Sequence, residues 1–203
     1  MRIRINFSLL LGMAALLASV SSAKLAQAQS GAPADKQPRT ELAIAYDFVR
    51  SNAPPDSCGC FNLNGGSATF AWPARPGHFA LVADATVTHA GGISKSGYSL
   101  TMSTFTAGGR YLLPTGRSQL RPFVQGLIGV AHASGSLVEG DTPAASNSGA
   151  ALAANIGGGL DLRVNRRFSL RMLDADYLLT RFDNGTNDHQ NNLRLSAGVV
   201  FHF

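Results

Sequence analysis

Charge is scarce in this sequence. Asp, Glu, Lys and Arg make up 14% of the 203 residues, well below the roughly 25% usual for soluble domains. Cysteine occurs twice and tryptophan once. After the amino-terminal segment no hydrophobic run reaches the roughly 20 residues of a membrane-spanning helix, which excludes a helical membrane protein. No Gly-x-Ser-x-Gly elbow is present, which removes the commonest signature of a serine hydrolase. Basic clusters are also missing. The formal charge of +5 includes Arg2, Arg4 and Lys24; without the first 28 residues the chain carries about +2, so its basic pI does not indicate nucleic-acid binding.

What is present begins with a leader. Arg2 and Arg4 precede an uncharged run from Phe7 to Val20, and small residues follow at Ser21-Ser22-Ala23 and Ala26-Gln27-Ala28. Basic, apolar, then small-x-small is the order of a secretory signal peptide. Residues 1–28 are therefore expected to be a signal peptide, cleaved after Ala28 or, alternatively, after Ala23. Residues 29–39 have Pro33 and Pro38 without periodicity and are expected to form a disordered periplasmic lead-in. Residues 40–203 form the remaining domain.

That domain reads as eight alternating segments. They are Glu41–Arg50, Ser67–Trp72, His78–His89, Ser99–Tyr111, Leu120–His132, Ala151–Val164, Phe168–Thr180 and the terminal stretch from Leu193. Apolar and polar residues at a period of two give a strand with two unlike faces. In the first segment Leu42, Ile44, Tyr46 and Phe48 oppose Ala43, Ala45 and Asp47. The polar faces collect Asp47, Asp84, Arg110, Asp161, Arg163 and Arg194, which are expected to be lumen charges. The seventh segment breaks the pattern: Arg171 has one parity, Asp174 and Asp176 the other. A β-bulge between them would reconcile all three, since one extra residue exchanges the faces; otherwise one of them sits near a membrane interface.

The joining segments alternate in predicted length. Ser51–Gly66, Ala90–Tyr98, Ala133–Ala150 and Arg181–Asn191 are the longer set; 73–77, 112–118 and 165–167 are the short set. Short periplasmic turns and long outer loops are the habit of outer-membrane barrels.

The last residues carry the most specific motif. Leu193, Leu195, Ala197, Val199, Phe201 and Phe203 form a wholly apolar face, and Ser196, Gly198, Phe201 and Phe203 stand at fixed spacing. This resembles the carboxy-terminal assembly signal of bacterial outer-membrane barrels. With the eight segments, residues 40–203 resemble the small eight-stranded outer-membrane β-barrel superfamily, the relatives of outer membrane proteins A and X. The resemblance implies an all-β, eight-stranded antiparallel up-and-down transmembrane β-barrel in the bacterial outer membrane. It also implies outer-membrane lipid, the barrel assembly machinery and periplasmic chaperones as partners.

Chemistry is thinner. Cys58-Gly59-Cys60 lies in the first long connection. In an oxidising compartment it is a candidate loop disulfide, with free thiols and a metal or redox role as alternatives. His78 and His202 are expected near the periplasmic rim, and His89, His132 and His189 near the outer rim. No metal, cofactor or catalytic residue is expected. An eight-stranded barrel is just wide enough for its own side chains to fill. The leading expectation is thus a non-enzymatic barrel with a filled lumen and an unidentified surface ligand. The alternatives are a narrow channel for small solutes and a lipid-modifying enzyme.

Overall fold

The computed structural model describes residues 39–51, 60–74, 77–93, 98–116, 118–135, 147–182 and 189–203. The expected leader 1–28 and residues 29–38 of the lead-in lie outside them. The strands are β1 (Glu41–Ser51), β2 (Phe61–Ala74), β3 (Phe79–Ile93), β4 (Tyr98–Leu112), β5 (Leu120–Gly135), β6 (Asn147–Arg163), β7 (Phe168–Thr180) and β8 (Gln190–His202). Each pairs antiparallel with the next, and β8 pairs with β1, so the sheet is a closed barrel. This is the all-β, eight-stranded up-and-down architecture expected from the alternation.

Closure is staggered. Directly opposed partners lead from Glu41 through Ala71, Val82, Gly108, Leu127, Asn155, Leu178 and Asn192 back to β1 at Ser51, ten residues beyond the start. A stagger of this size tilts the strands by roughly 40° to the barrel axis. It also brings residues distant in sequence to one height in the lumen.

The two faces are inverted relative to a soluble barrel. Outward positions are large and apolar: Ile156 is 67% exposed, Phe105 61% and Ile128 60%. Inward positions are polar: Asp47 is 0% exposed, Asp176 1% and Arg110 2%. A soluble barrel buries the apolar set instead; apolar outside with polar inside is the membrane arrangement. Trp72, Phe79, Tyr111 and Phe201 are exposed near one end of the strands. Nearer the other end, Tyr46 and Tyr177 face outward, and their hydroxyls donate to Asn64 (2.6 Å) and Asn191 (2.5 Å). Amphipathic aromatics suit the boundaries between hydrocarbon and water.

The parity conflict in β7 resolves as a bulge. The β7–β8 register shifts between Arg171 and Asp174, and the β6–β7 register shifts between Leu160 and Asp161. Met172 and Leu173 consequently both face outward, 54% and 48% exposed, while Arg171, Asp174 and Asp176 are all buried. One extra residue here flips the faces and keeps three polar side chains out of the lipid.

Two expectations need correction. The second segment is not the short Ser67–Trp72 but β2, of 14 residues, Phe61–Ala74. Asn62, Asn64, Gly65 and Gly66 are poor strand formers, yet they lie in register with β1 along its whole length, and pairing outweighs propensity at such positions. β3 likewise runs past its expected end at His89 to Ile93, which shortens its connection to β4. That connection is 94–97, smaller than the 113–119 connection at the opposite end. Loop length alone therefore does not separate the two ends.

The seam between β1 and β8 needs a residue without a side chain. A Cβ at Gly198 would lie 2.1 Å from the Ile44 carbonyl oxygen and 2.6 Å from the Ala45 Cα. Gly198→Val is expected to destabilise the barrel by about 1–3 kcal/mol through overpacking. The check is the urea midpoint of the protein refolded in detergent; an unchanged midpoint would show that the seam tolerates a side chain.

Candidate functional site

The lumen holds the only concentrated chemistry among the described residues, in two linked polar networks. The first centres on Arg194 of β8. Its Nε donates to Asp47 Oδ1 at 2.7 Å, and Nη1 and Nη2 donate to Asp84 at 2.9 and 3.2 Å. Ser196 Oγ donates to Asp47 at 2.6 Å, and Thr69 and Thr86 donate to Asp84 at 2.7 and 2.9 Å. One guanidinium thus joins β8 to β1 and, across the lumen, to β3. Burying charge is costly unless it is paired and hydrogen-bonded; the three hydroxyls supply much of that bonding.

The second network lies nearer the end with Glu41. Arg171 pairs with Asp161 at 3.0 Å and Asp174 at 3.4 Å. Arg110 donates to Gln125 Oε1 at 2.8 Å, and Gln125 Nε2 donates onward to Asp174 and Asp176 at 3.1–3.3 Å. The Arg110 and Arg171 guanidiniums stack on the Phe123 ring, 4.2 and 4.8 Å from its centroid. Cation–π contact of this kind gains strength when desolvated. Phe123 has room because β6 carries Gly159 beside it, where a Cβ would meet the ring at 2.6 Å. Glu41 completes the network, 3.9 Å from Arg110, 3.7 Å from Arg121 and 3.4 Å from His202.

Beyond the polar networks, toward the other end, the lumen turns apolar. Val49, Leu63, Leu100, Met102 and Leu178 are buried together, with Phe61 and Phe182 packed against them. Water and ions moving along the axis would meet paired charges at one level and a hydrophobic layer at the next.

One arrangement has the order of a hydrolytic relay. Ser169 Oγ lies 2.8 Å from His202 Nε2, and His202 Nδ1 faces Glu41. A nucleophile, base and acid in that sequence define a catalytic triad only if a substrate reaches the nucleophile. Ser169 is 0% exposed. Glu41 is moreover shared with two arginines. The trio is a buried polar contact tying β1, β7 and β8 together.

Of the sequence-derived lumen charges, Asp47, Asp84, Arg110, Asp161 and Arg194 are buried, and the structure brings Asp47, Asp84 and Arg194 together. Arg163 lies half-buried at the last position of β6. Of the terminal motif, Ser196 faces inward to Asp47, Gly198 sits at the seam, and Phe201 and Phe203 face outward, 43% and 72% exposed. Cys60 is exposed just before β2, and Cys58 lies outside the described residues. Among the described residues no three His, Cys, Asp or Glu side chains converge as a metal site. Sequence reasoning missed Glu41, Gln125 and Phe123 as network members. Their inward parity was visible, but their partners lie on other strands and depend on the stagger.

Fold and lumen together define an eight-stranded transmembrane β-barrel whose interior is polar in one half and apolar in the other. Solved structures share this fold. Neisserial surface protein A overlays with a TM-score of 0.61 at 15% identity, over 81% of this chain and 97% of that one. The attachment invasion locus protein Ail of Yersinia pestis overlays with a TM-score of 0.54 at 18% identity, over 82% and 100%. Ail in complex with the heparin analogue sucrose octasulfate overlays at 0.52. No family model matches the sequence, and no curated protein matches it significantly.

The Arg194 network yields a sharp expectation. Arg194→Met strands two buried carboxylates and is expected to cost roughly 3–5 kcal/mol. Adding Asp47→Asn and Asp84→Asn to that variant should restore much of the loss. Urea unfolding of the single and triple variants checks both; equal stability of wild type and Arg194→Met would mean that the guanidinium is not needed.

Proposed function

We propose that this chain is a non-enzymatic integral outer-membrane protein whose filled barrel anchors the segments at its outer rim for contact with partners outside the cell. The observation that carries this reading is the lumen: cross-bridged charges in one half, and a buried apolar cluster in the other. Such an interior suits a rigid anchor and opposes conduction. The end bearing Glu41 and Phe203 is assigned to the periplasm, since an exported amino terminus stays there. The terminal residues Ser196, Gly198, Phe201 and Phe203 would be read by the barrel assembly machinery after delivery by periplasmic chaperones. The barrels it resembles include, by name, a surface protein and an attachment invasion locus protein, which supports a surface-interaction role.

Folded protein is expected to migrate differently on a gel before and after boiling. In a planar bilayer it is expected to give no stepwise current; steady single-channel steps would establish a channel for small solutes instead. A fluorophosphonate probe is expected to leave Ser169 unmodified, because its hydroxyl is buried. Labelling of Ser169, or acyl release from phospholipid or lipopolysaccharide, would reverse the non-enzymatic assignment.

A further inference from the structure

The polar half of the lumen does not balance its charge evenly. Near the Glu41 end, Arg110, Arg121 and Arg171 face Glu41, Asp161 and Asp174, three against three. Farther in, Arg194 alone faces Asp47 and Asp84. Asp176 adds another carboxylate beside them. It is 1% exposed and stands directly opposite Arg194 in the β7–β8 register. Yet Arg194 Nε donates to Asp47, and both Nη atoms donate to Asp84. Asp176 accepts from the Gln125 amide nitrogen at 3.1 Å, a donor it shares with Asp174, and makes no ion pair among the described residues. Arg163 is distant, six positions along β6 from the Gly157 that pairs with Asp176. A buried carboxylate without a counter-charge is strongly disfavoured.

Around Asp176 the two networks also leave polar atoms over. Asn155 on β6 is 2% exposed, and neither its Oδ1 nor its Nδ2 has a hydrogen-bond partner. Thr106 Oγ1 and Asp47 Oδ2 are likewise buried and unpartnered. Asn155 and Asp176 are neighbours. Asp176 pairs with Gly157, the next inward position of β6 after Asn155. Its Oδ1 leans over that glycine, into the place a Cβ would take. Thr106 stands opposite Asp84 on one side and Gly129, which has no side chain, on the other. Leu178, opposite Asn155 in register, belongs to the apolar layer, which shuts out bulk water from that side.

Carboxylate, amide and hydroxyl oxygens, without nitrogen or sulfur ligands, are the chemistry that holds a hard cation. We propose that the lumen binds a calcium ion between Asp176 and Asn155, with Thr106 Oγ1 and Asp47 Oδ2 completing its shell directly or through water. Arg194 against Asp47, Asp84 and Asp176 leaves two negative charges, which one divalent ion cancels. Calcium accepts an irregular shell of mixed oxygens, whereas magnesium demands a near-ideal octahedron. Two carboxylates and two neutral oxygens supply the site, so it needs no convergence of three acidic or histidine side chains. The ion ties β1, β4, β6 and β7 together beneath the apolar layer. It depends on the closed barrel and not on what the outer rim contacts.

The test is equilibrium dialysis against radioactive calcium of the protein refolded in a nonionic detergent, at fixed pH and ionic strength. A single calcium ion per barrel is expected. Asp176→Asn, which keeps the side-chain volume, should abolish that binding, and Asn155→Ala should weaken it about 10- to 100-fold. Glu139→Gln with Asp141→Asn, in the segment joining β5 to β6, should leave it unchanged. Calcium should also raise the urea midpoint of the wild type but not of Asp176→Asn, and magnesium at equal concentration should not replace it. No bound calcium, binding that survives Asp176→Asn, loss of binding in the Glu139 and Asp141 variant, or an equal response to magnesium would each overturn the proposal. So would a midpoint that follows pH and ignores calcium, which would assign the missing positive charge to a proton on Asp176. Heat-modifiable gel mobility shows which variants have folded; if Asp176→Asn has not, Asn155→Ala decides.

Discussion

Everything in this structure depends on the seam between β1 and β8. In hydrocarbon an unpaired backbone amide or carbonyl costs several kcal/mol, so a sheet survives there only when it has no edge. Register along the seam runs from Glu41 opposite His202 to Ser51 opposite Asn192. Gly198 lets the strands meet closely, and the Arg194–Asp47 and Ser196–Asp47 contacts brace the same two strands from inside. The residues that close the backbone ladder are thus neighbours of those that tie the lumen together.

Closing the sheet creates a second constraint. With lipid outside, alternate side chains have to turn inward into a space too narrow for bulk water. Polar side chains confined there need partners, and the two networks supply them. Hydroxyls and one glutamine amide fill gaps between the guanidiniums and carboxylates. The β7 bulge belongs to the same logic. Without it, either Arg171 or the Asp174–Asp176 pair would face hydrocarbon, where a charge is expensive. A local break in the ladder is the smaller cost.

Much of this was legible in the chain. The alternation marked eight strands and their faces, and the clash of parity between Arg171 and Asp174 located the bulge. The extent of β2 was not legible, because Asn62, Asn64, Gly65 and Gly66 become strand only by pairing with β1 and β3. The Ser169–His202–Glu41 contact was equally hidden. Its members lie on three strands, and only closure of the barrel makes them neighbours.

The sequence by itself determined which residues share a face, because the period of a strand is a local property of the backbone that no distant partner alters. It also placed charge on one face and aliphatic and aromatic side chains on the other. Only the tertiary structure decided which charge meets which. The ten-residue stagger around the barrel sets the height of every inward side chain, and that stagger is a property of the closed sheet that no single strand contains.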